Sequence, residues 1–189
     1  MIVKELLNED AYSSNIINHI RDYDCFIFHF SGHGEFNSIT PNLSYLIILD
    51  DDLNSKRLYG NEIPENINFT NPALVILNAC ETGTVAVSIG DEINGLCRGF
   101  IQAGSKGIIS NSWSVFDSSS ADLIKEFYKI FLKGNSISYS LKEARRHIRK
   151  KVRNSKHDWF GDLVLWGSYV YYGNPALRIQ EIKSKSAQG

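Results

Sequence analysis

Two segments carry residue types suited to nucleophilic chemistry: Ser31-Gly32-His33-Gly34, and Asn78-Ala79-Cys80-Glu81-Thr82-Gly83. A thiol is a weak nucleophile until it becomes a thiolate, and a nearby imidazole favours that form by taking or offsetting the proton. An imidazole can then protonate a departing amine, because it titrates near operating pH. A pair of this kind performs acyl transfer, with the main-chain N–H groups of Cys80 and Gly34 as candidate donors to the oxyanion. Either residue alone fits a packing role equally well, since free cysteine is often buried. Their pairing therefore depends on the elements that hold them.

Asp24 to Phe30 (DCFIFHF) is a short apolar run that stops at Ser31-Gly32, and Ala73 to Leu77 (ALVIL) repeats the pattern after Asn71-Pro72. Such runs read as parallel strands buried on both faces. Lys106 to Ser110 (KGIIS) is a third. Between the second and third, Ile93, Leu96, Cys97, Phe100 and Ile101 form the stripe of a helix covering a sheet. Strand, helix, strand is a crossover unit. In open parallel sheets, functional groups gather outside the carboxyl ends of the strands, so His33 and Cys80 are expected to meet there, with Gly32 and Gly34 giving torsional freedom.

Asp117 or Ser118 can cap a further helix carrying Ile124, Phe127, Tyr128 and Phe131, closed by Gly134. Another from about Ser138 places Ile137, Leu141, Ala144, Ile148 and Val152 on one side. Tyr169 to Tyr172 reads as a late strand, and Tyr45 to Leu49 with Lys56 to Tyr59 as a peripheral hairpin. The alternation predicts an α/β sandwich.

Composition sets the bounds. The chain has 189 residues, 43% of them hydrophobic, and a formal net charge of −1. This suits one folded domain over residues 1–180, followed by a disordered tail at 181–189. No apolar run approaches a membrane span and the first residues do not resemble a signal peptide, which predicts a cytoplasmic protein with no membrane partner. The three cysteines are an odd number in apolar segments, which favours reduced thiols over a disulfide framework.

The ordered series FHFSGHG, LVILNACETG, GDEINGLCRGFIQAGSKGIISNSWSVFD and LWGSYVYYGNPAL, from about Asp24 to Leu177, resembles the CHAT domain. This is a caspase-like peptidase fold of the clan of caspases and separases. Cys80 lies 47 residues after His33, close to the caspase spacing of about 50. The resemblance implies a three-layer α/β/α caspase-like sandwich with a mostly parallel central sheet. It implies His33 as general acid/base, Cys80 as nucleophile, and oxyanion stabilisation at Gly34. The implied activity is that of a cysteine endopeptidase cleaving protein substrates through a thioester, with no cofactor. The implied setting is regulated proteolysis in bacterial defence or cell death, with a TPR-type or other sensor domain or a regulatory partner.

Asp91, Asp117, Glu81 and Trp113 fall in family segments near the expected substrate pocket. Members usually carry an additional strand and helix before the histidine strand. Only 23 residues precede Asp24, so the sheet is expected to lack that strand and helix, as in an excerpt of a longer protein. Gly173-Asn174-Pro175 also stands where the family often has Gly-Asp-Pro.

Other readings compete. Cys25, His29 and His33 have a Cys-x3-His-x3-His spacing, but the apolar strand between them reads as core, and no metal site is expected. Cys25 and Cys97 read as core thiols. Residues 142–156 hold eight Lys/Arg against one Glu, the pattern of a solvated helix face or of a surface that docks an acidic partner. Direct nucleic-acid binding is not expected, because aromatic residues are not interleaved there. For the chain as a whole, the alternatives are a catalytically silent interaction module and an amide hydrolase or acyltransferase acting on small molecules.

Overall fold

Leu74 and Ile76 pack into the core on one side of their strand, Val75 and Leu77 into that on the other, and all four are at most 1% exposed. A run buried on both faces needs a layer on each side, and that requirement sets the architecture. The computed structural model describes residues 4–23, 25–37, 39–70, 73–81, 94–111, 117–153 and 166–180, with the side chains of 80, 81, 94, 117–120, 152 and 153 excepted.

The strands are β1 (Ile27–Glu35), β2 (Tyr45–Leu49), β3 (Ser55–Tyr59), β4 (Leu74–Glu81), β5 (Gly107–Asn111) and β6 (Tyr169–Gly173). They form one six-stranded sheet in the order β3-β2-β1-β4-β5-β6. β1, β4 and β5 run parallel, β2 and β3 form the expected hairpin, and β6 returns antiparallel to β5. Four of the six strands therefore point the same way, the mostly parallel α/β sandwich read from the sequence.

The helices are α1 (Ser13–Asp22), α2 (Ile63–Asn66), α3 (Asn94–Gln102), α4 (Asp117–Phe131) and α5 (Ile137–Arg153). One core joins Ile20 of α1, Ile63 of α2 and Leu96, Cys97 and Phe100 of α3 to Val75, Leu77 and Ala79. The other joins Leu123, Ile124, Phe127 and Phe131 of α4 and Ile137, Leu141, Ala144 and Ile148 of α5 to Leu74, Ile76 and Ile109. Burying each such large side chain contributes about 1.5–3 kcal/mol. Gly134, at φ 93°, ends α4 as expected. No helix among the described residues is long and apolar enough to cross a membrane.

Three expectations change. First, a helix precedes β1: α1 needs only ten residues, and its start is held by Asp51, whose carboxylate accepts from the Ser14 N–H and the Ser13 hydroxyl, each at 3.1 Å. Ahead of α1 the chain pairs with the sheet through an isolated bridge, Tyr12 to Leu49, and forms no strand among the described residues. Second, Ile101 is 54% exposed rather than buried. The packing face of α3 is rotated toward two glycines: a Cβ on Gly95 would overlap the Pro41 carbonyl, and one on Gly99 the Gly60 carbonyl. Glycine there lets backbone meet backbone, which hydrophobic periodicity does not register. Ile93 and Asp91 lie outside the described residues.

Third, Ser31-Gly32-His33-Gly34 is strand rather than loop. β1 runs on to Glu35 because it pairs with β4 through Gly34↔Glu81 and with β2 through Gly34↔Leu46 and Glu35↔Tyr45. Gly32 and Gly34 are not among the positive-φ glycines. Gly34 instead admits its neighbours closely, since a Cβ there would lie 2.9 Å from the Tyr45 carbonyl oxygen and 3.3 Å from the Ala79 Cβ.

Burial of Cys97 carries a pH signature. It raises the thiol to about 12, against 9.0 for a free thiol, so the folded state keeps a proton that the unfolded state releases above pH 9. The associated stability is fully present below that pH and is lost as pH rises toward 12, about 4 kcal/mol at the limit. Urea midpoints at pH 8 and 10 should therefore fall further for the wild type than for Cys97→Ala. Equal falls would refute this assignment.

Candidate active site

The burial of β1 alternates: Gly32 and Gly34 face inward, whereas His29, Ser31, His33 and Glu35 are exposed. The exposed set lies on the side of the sheet that carries α4, since Tyr128 of α4 places its hydroxyl 3.3 Å from His29 Nδ1. Toward the carboxyl end of β1 no described residue therefore covers this face. Position 80 stands beside His33: in the parallel ladder between β1 and β4, His33 and Cys80 are direct register partners. Neighbouring backbones in a sheet lie about 4.8 Å apart. The two residues named from the sequence thus share one rung at the carboxyl ends of two central strands.

A rung of polar side chains crosses the sheet two residues earlier. Asn78 Oδ1 accepts from Asn111 Nδ2 at 3.2 Å and from the Tyr169 hydroxyl at 3.0 Å. Tyr169 is fully buried, Asn111 is 5% exposed, and Asn111 Oδ1 has no partner among the described residues. Buried polar groups of this kind hold strands in one register, because any slip would leave them unpaired. Asn78→Leu should lower stability by about 1–3 kcal/mol by removing the acceptor of two buried donors. Urea denaturation checks this, and an unchanged midpoint would contradict it.

Glu35 lies two positions beyond His33 on the same face, about 7 Å along the strand. The Tyr45 hydroxyl donates to its carboxylate, and the Arg57 guanidinium sits 4.6 Å from the Tyr45 ring. That hydrogen bond is the main cause of the raised Tyr45 pKa. Neither this cluster nor the asparagine rung was anticipated. A signal existed in the alternation of Ser31, His33 and Glu35 with two glycines, which marks one continuous exposed face.

The remaining candidates are placed less fully. Gly34 is buried between Leu46 and Glu81. Glu81 ends β4 and Asp117 is the first residue of α4, their side chains lying outside the description, as do Asp91 and Trp113 altogether. Cys25 and Cys97 pack in the core on the α3 side, and burial raises their thiols to about 11 and about 12. A buried thiol that holds its proton is a poor nucleophile. Among the described residues no three His, Cys, Asp or Glu side chains gather as metal ligands. His29, expected in the core, is exposed beside Tyr128.

The sequence profile of the CHAT domain matches residues 2–174. The chain belongs to the CHAT domain family. That family is caspase-like and related to cysteine peptidases, so the sandwich and the strand-end rung described above belong to a peptidase-like kind of protein. No curated protein matches the chain.

Proposed function

We propose that the protein is a cysteine endopeptidase whose nucleophile is Cys80 and whose general acid/base is His33. The observation that carries this reading is the direct pairing of His33 with Cys80 across two parallel strands of a CHAT domain. The Cys80 thiolate attacks the scissile carbonyl carbon, and the oxyanion collapses to a thioester as the C–N bond breaks. The His33 imidazolium gives its proton to the leaving amine. Water, deprotonated by the same imidazole, then hydrolyses the thioester and restores the thiol. The main-chain N–H groups of Cys80 and Gly34 serve as oxyanion donors. Asp91, Asp117, Glu81 and Trp113 are the residues assigned to substrate binding, and no cofactor takes part.

The open face along Ser31, His33 and Glu35 supports a polypeptide substrate over a small molecule, since an extended chain can lie along an exposed strand end. Residues 1–180 act as one peptidase domain in the cytoplasm, in regulated proteolysis, under a TPR-type or other sensor domain or regulatory partner. The test is to sequence the new amino termini produced in a proteome by the wild type and by Cys80→Ala. Termini sharing a residue preference and absent with Cys80→Ala are expected. Identical sets of termini would leave the fold as an interaction module and end the peptidase reading.

A further inference from the structure

On the outer flank of α5 an open cleft of about 230 Å³ lies between the helix and Trp166. Its polar lining comes from Ser138, Lys142, Arg145, Arg146 and Arg149. Positions 142, 145, 146 and 149 share one helix face over two turns, a stripe about 10 Å long. Charge compensation is incomplete. Lys142 at 3.7 Å and Arg146 at 3.1 Å share the single carboxylate of Glu143. Arg145 donates to the backbone carbonyl of Tyr169, and its Nε is buried with no partner among the described residues. Arg149 lies over the Trp166 ring, 5.4 Å from its centroid. Among the described residues, four cations thus meet one carboxylate.

A merely solvated helix face would be convex, with each guanidinium spread into water. Here the lining is concave and Arg145 is half-buried. Stacking on Trp166 also fixes Arg149, leaving its in-plane N–H edge free for a carboxylate. By contrast Lys151, outside the cleft, is already paired with Asp122 of α4.

We propose that this cleft docks an acidic segment of a partner protein, through two or more closely spaced Asp or Glu side chains. Alternate residues of an extended peptide project to one side about 7 Å apart, so two of them fit within the length of the stripe. The excess positive charge complements such a segment, and guanidinium groups bind carboxylates in bidentate fashion. Nucleic acid fits less well. Among the described residues, Arg149 occupies the Trp166 face and Lys142 lies over the Tyr139 ring at 5.2 Å, the stripe is short for a backbone track, and the four cationic side chains supply donors without acceptors for base edges. The inference is independent of the peptidase reading, because no residue of the cleft is assigned a part in the catalytic steps.

Fluorescence anisotropy with the full chain tests it, using a short labelled peptide that alternates glutamate and serine and a counterpart with glutamine. Lys142 and Arg149 are exposed, so Lys142→Gln/Arg149→Gln should fold normally, with thermal melting as the check and Arg146→Gln as a second variant. The glutamate peptide should bind and the glutamine peptide should not. The double variant should lose about tenfold in affinity, Arg146→Gln a smaller factor, and the exposed Lys133→Gln none. Equal binding of both peptides, or wild-type affinity in both cleft variants, would overturn the proposal. So would an oligonucleotide of equal charge that binds more tightly and loses its binding in the double variant.

Discussion

Cys80→Ala and His33→Ala should each lower peptide-bond cleavage by at least about a thousandfold. The reason lies in the division of labour: without the thiol no thioester forms, and without the imidazole the thiol stays protonated and the amine departs unassisted. The double variant should be scarcely worse than either single one, because residues acting as a unit are not additive. His33 is exposed, so His33→Ala should leave the unfolding midpoint near that of the wild type, since surface substitutions usually fall within about 0.5 kcal/mol. Steady-state kinetics on a substrate found by terminus sequencing would read the effect. A His33→Ala enzyme retaining a tenth of wild-type kcat/KM would remove His33 from the mechanism.

Gly95→Ala should destabilise the fold by about 3 kcal/mol or more, the largest effect expected from adding one methyl group. Alanine is the better helix former, by about 1 kcal/mol, and Gly95 lies in the first turn of α3, so propensity alone predicts stabilisation. Sterics decide otherwise, because the added Cβ would overlap the Pro41 carbonyl oxygen and carbon. Backbone cannot yield as the end of a side chain can. The first turn of α3 would have to move off the Pro41–Leu43 turn, while its own core contacts through Leu96 and Phe100 hold it in place. A urea midpoint at or above that of the wild type would show that the helix can shift at little cost.

Much of the architecture was legible because apolar periodicity reports burial. ALVIL gave β4 as a two-sided strand, and Ile137, Leu141, Ala144 and Ile148 gave the buried face of α5. What periodicity misses is contact made by backbone. Gly95 and Gly99 turn the packing face of α3 away from Ile101. Gly34 reads as a flexible loop glycine until the pairing of β1 with both β2 and β4 shows that it serves close approach. α1 escaped notice because its polar Ser13-Ser14-Asn15 start gains its anchor from Asp51, 37 residues beyond Ser14. The candidate site was legible as residue types and strand ends. Its Asn78, Asn111 and Tyr169 rung was not, because the three come from strands far apart in the chain and only the sheet order makes them neighbours.

The basic helix shows the same limit. Eight cations within residues 142–156 read as a solvated face or as a docking surface for an acidic partner, and only Trp166, which turns part of that face into a walled cleft and gives Arg149 a stacking partner, favours the second. Charge counts along a sequence cannot distinguish a ridge from a groove.

The central claim is that Cys80 is the activated thiol of this chain. Its most direct test is the pH dependence of iodoacetamide labelling at each cysteine of the folded protein, read by peptide mass mapping. Cys25 and Cys97, with thiols raised to about 11 and about 12 by burial, should react slowly at neutral pH. Cys80 should react fastest, and its rate should fall in His33→Ala. Labelling of Cys80 no faster than of Cys25 or Cys97, with a rate indifferent to His33, would contradict the account.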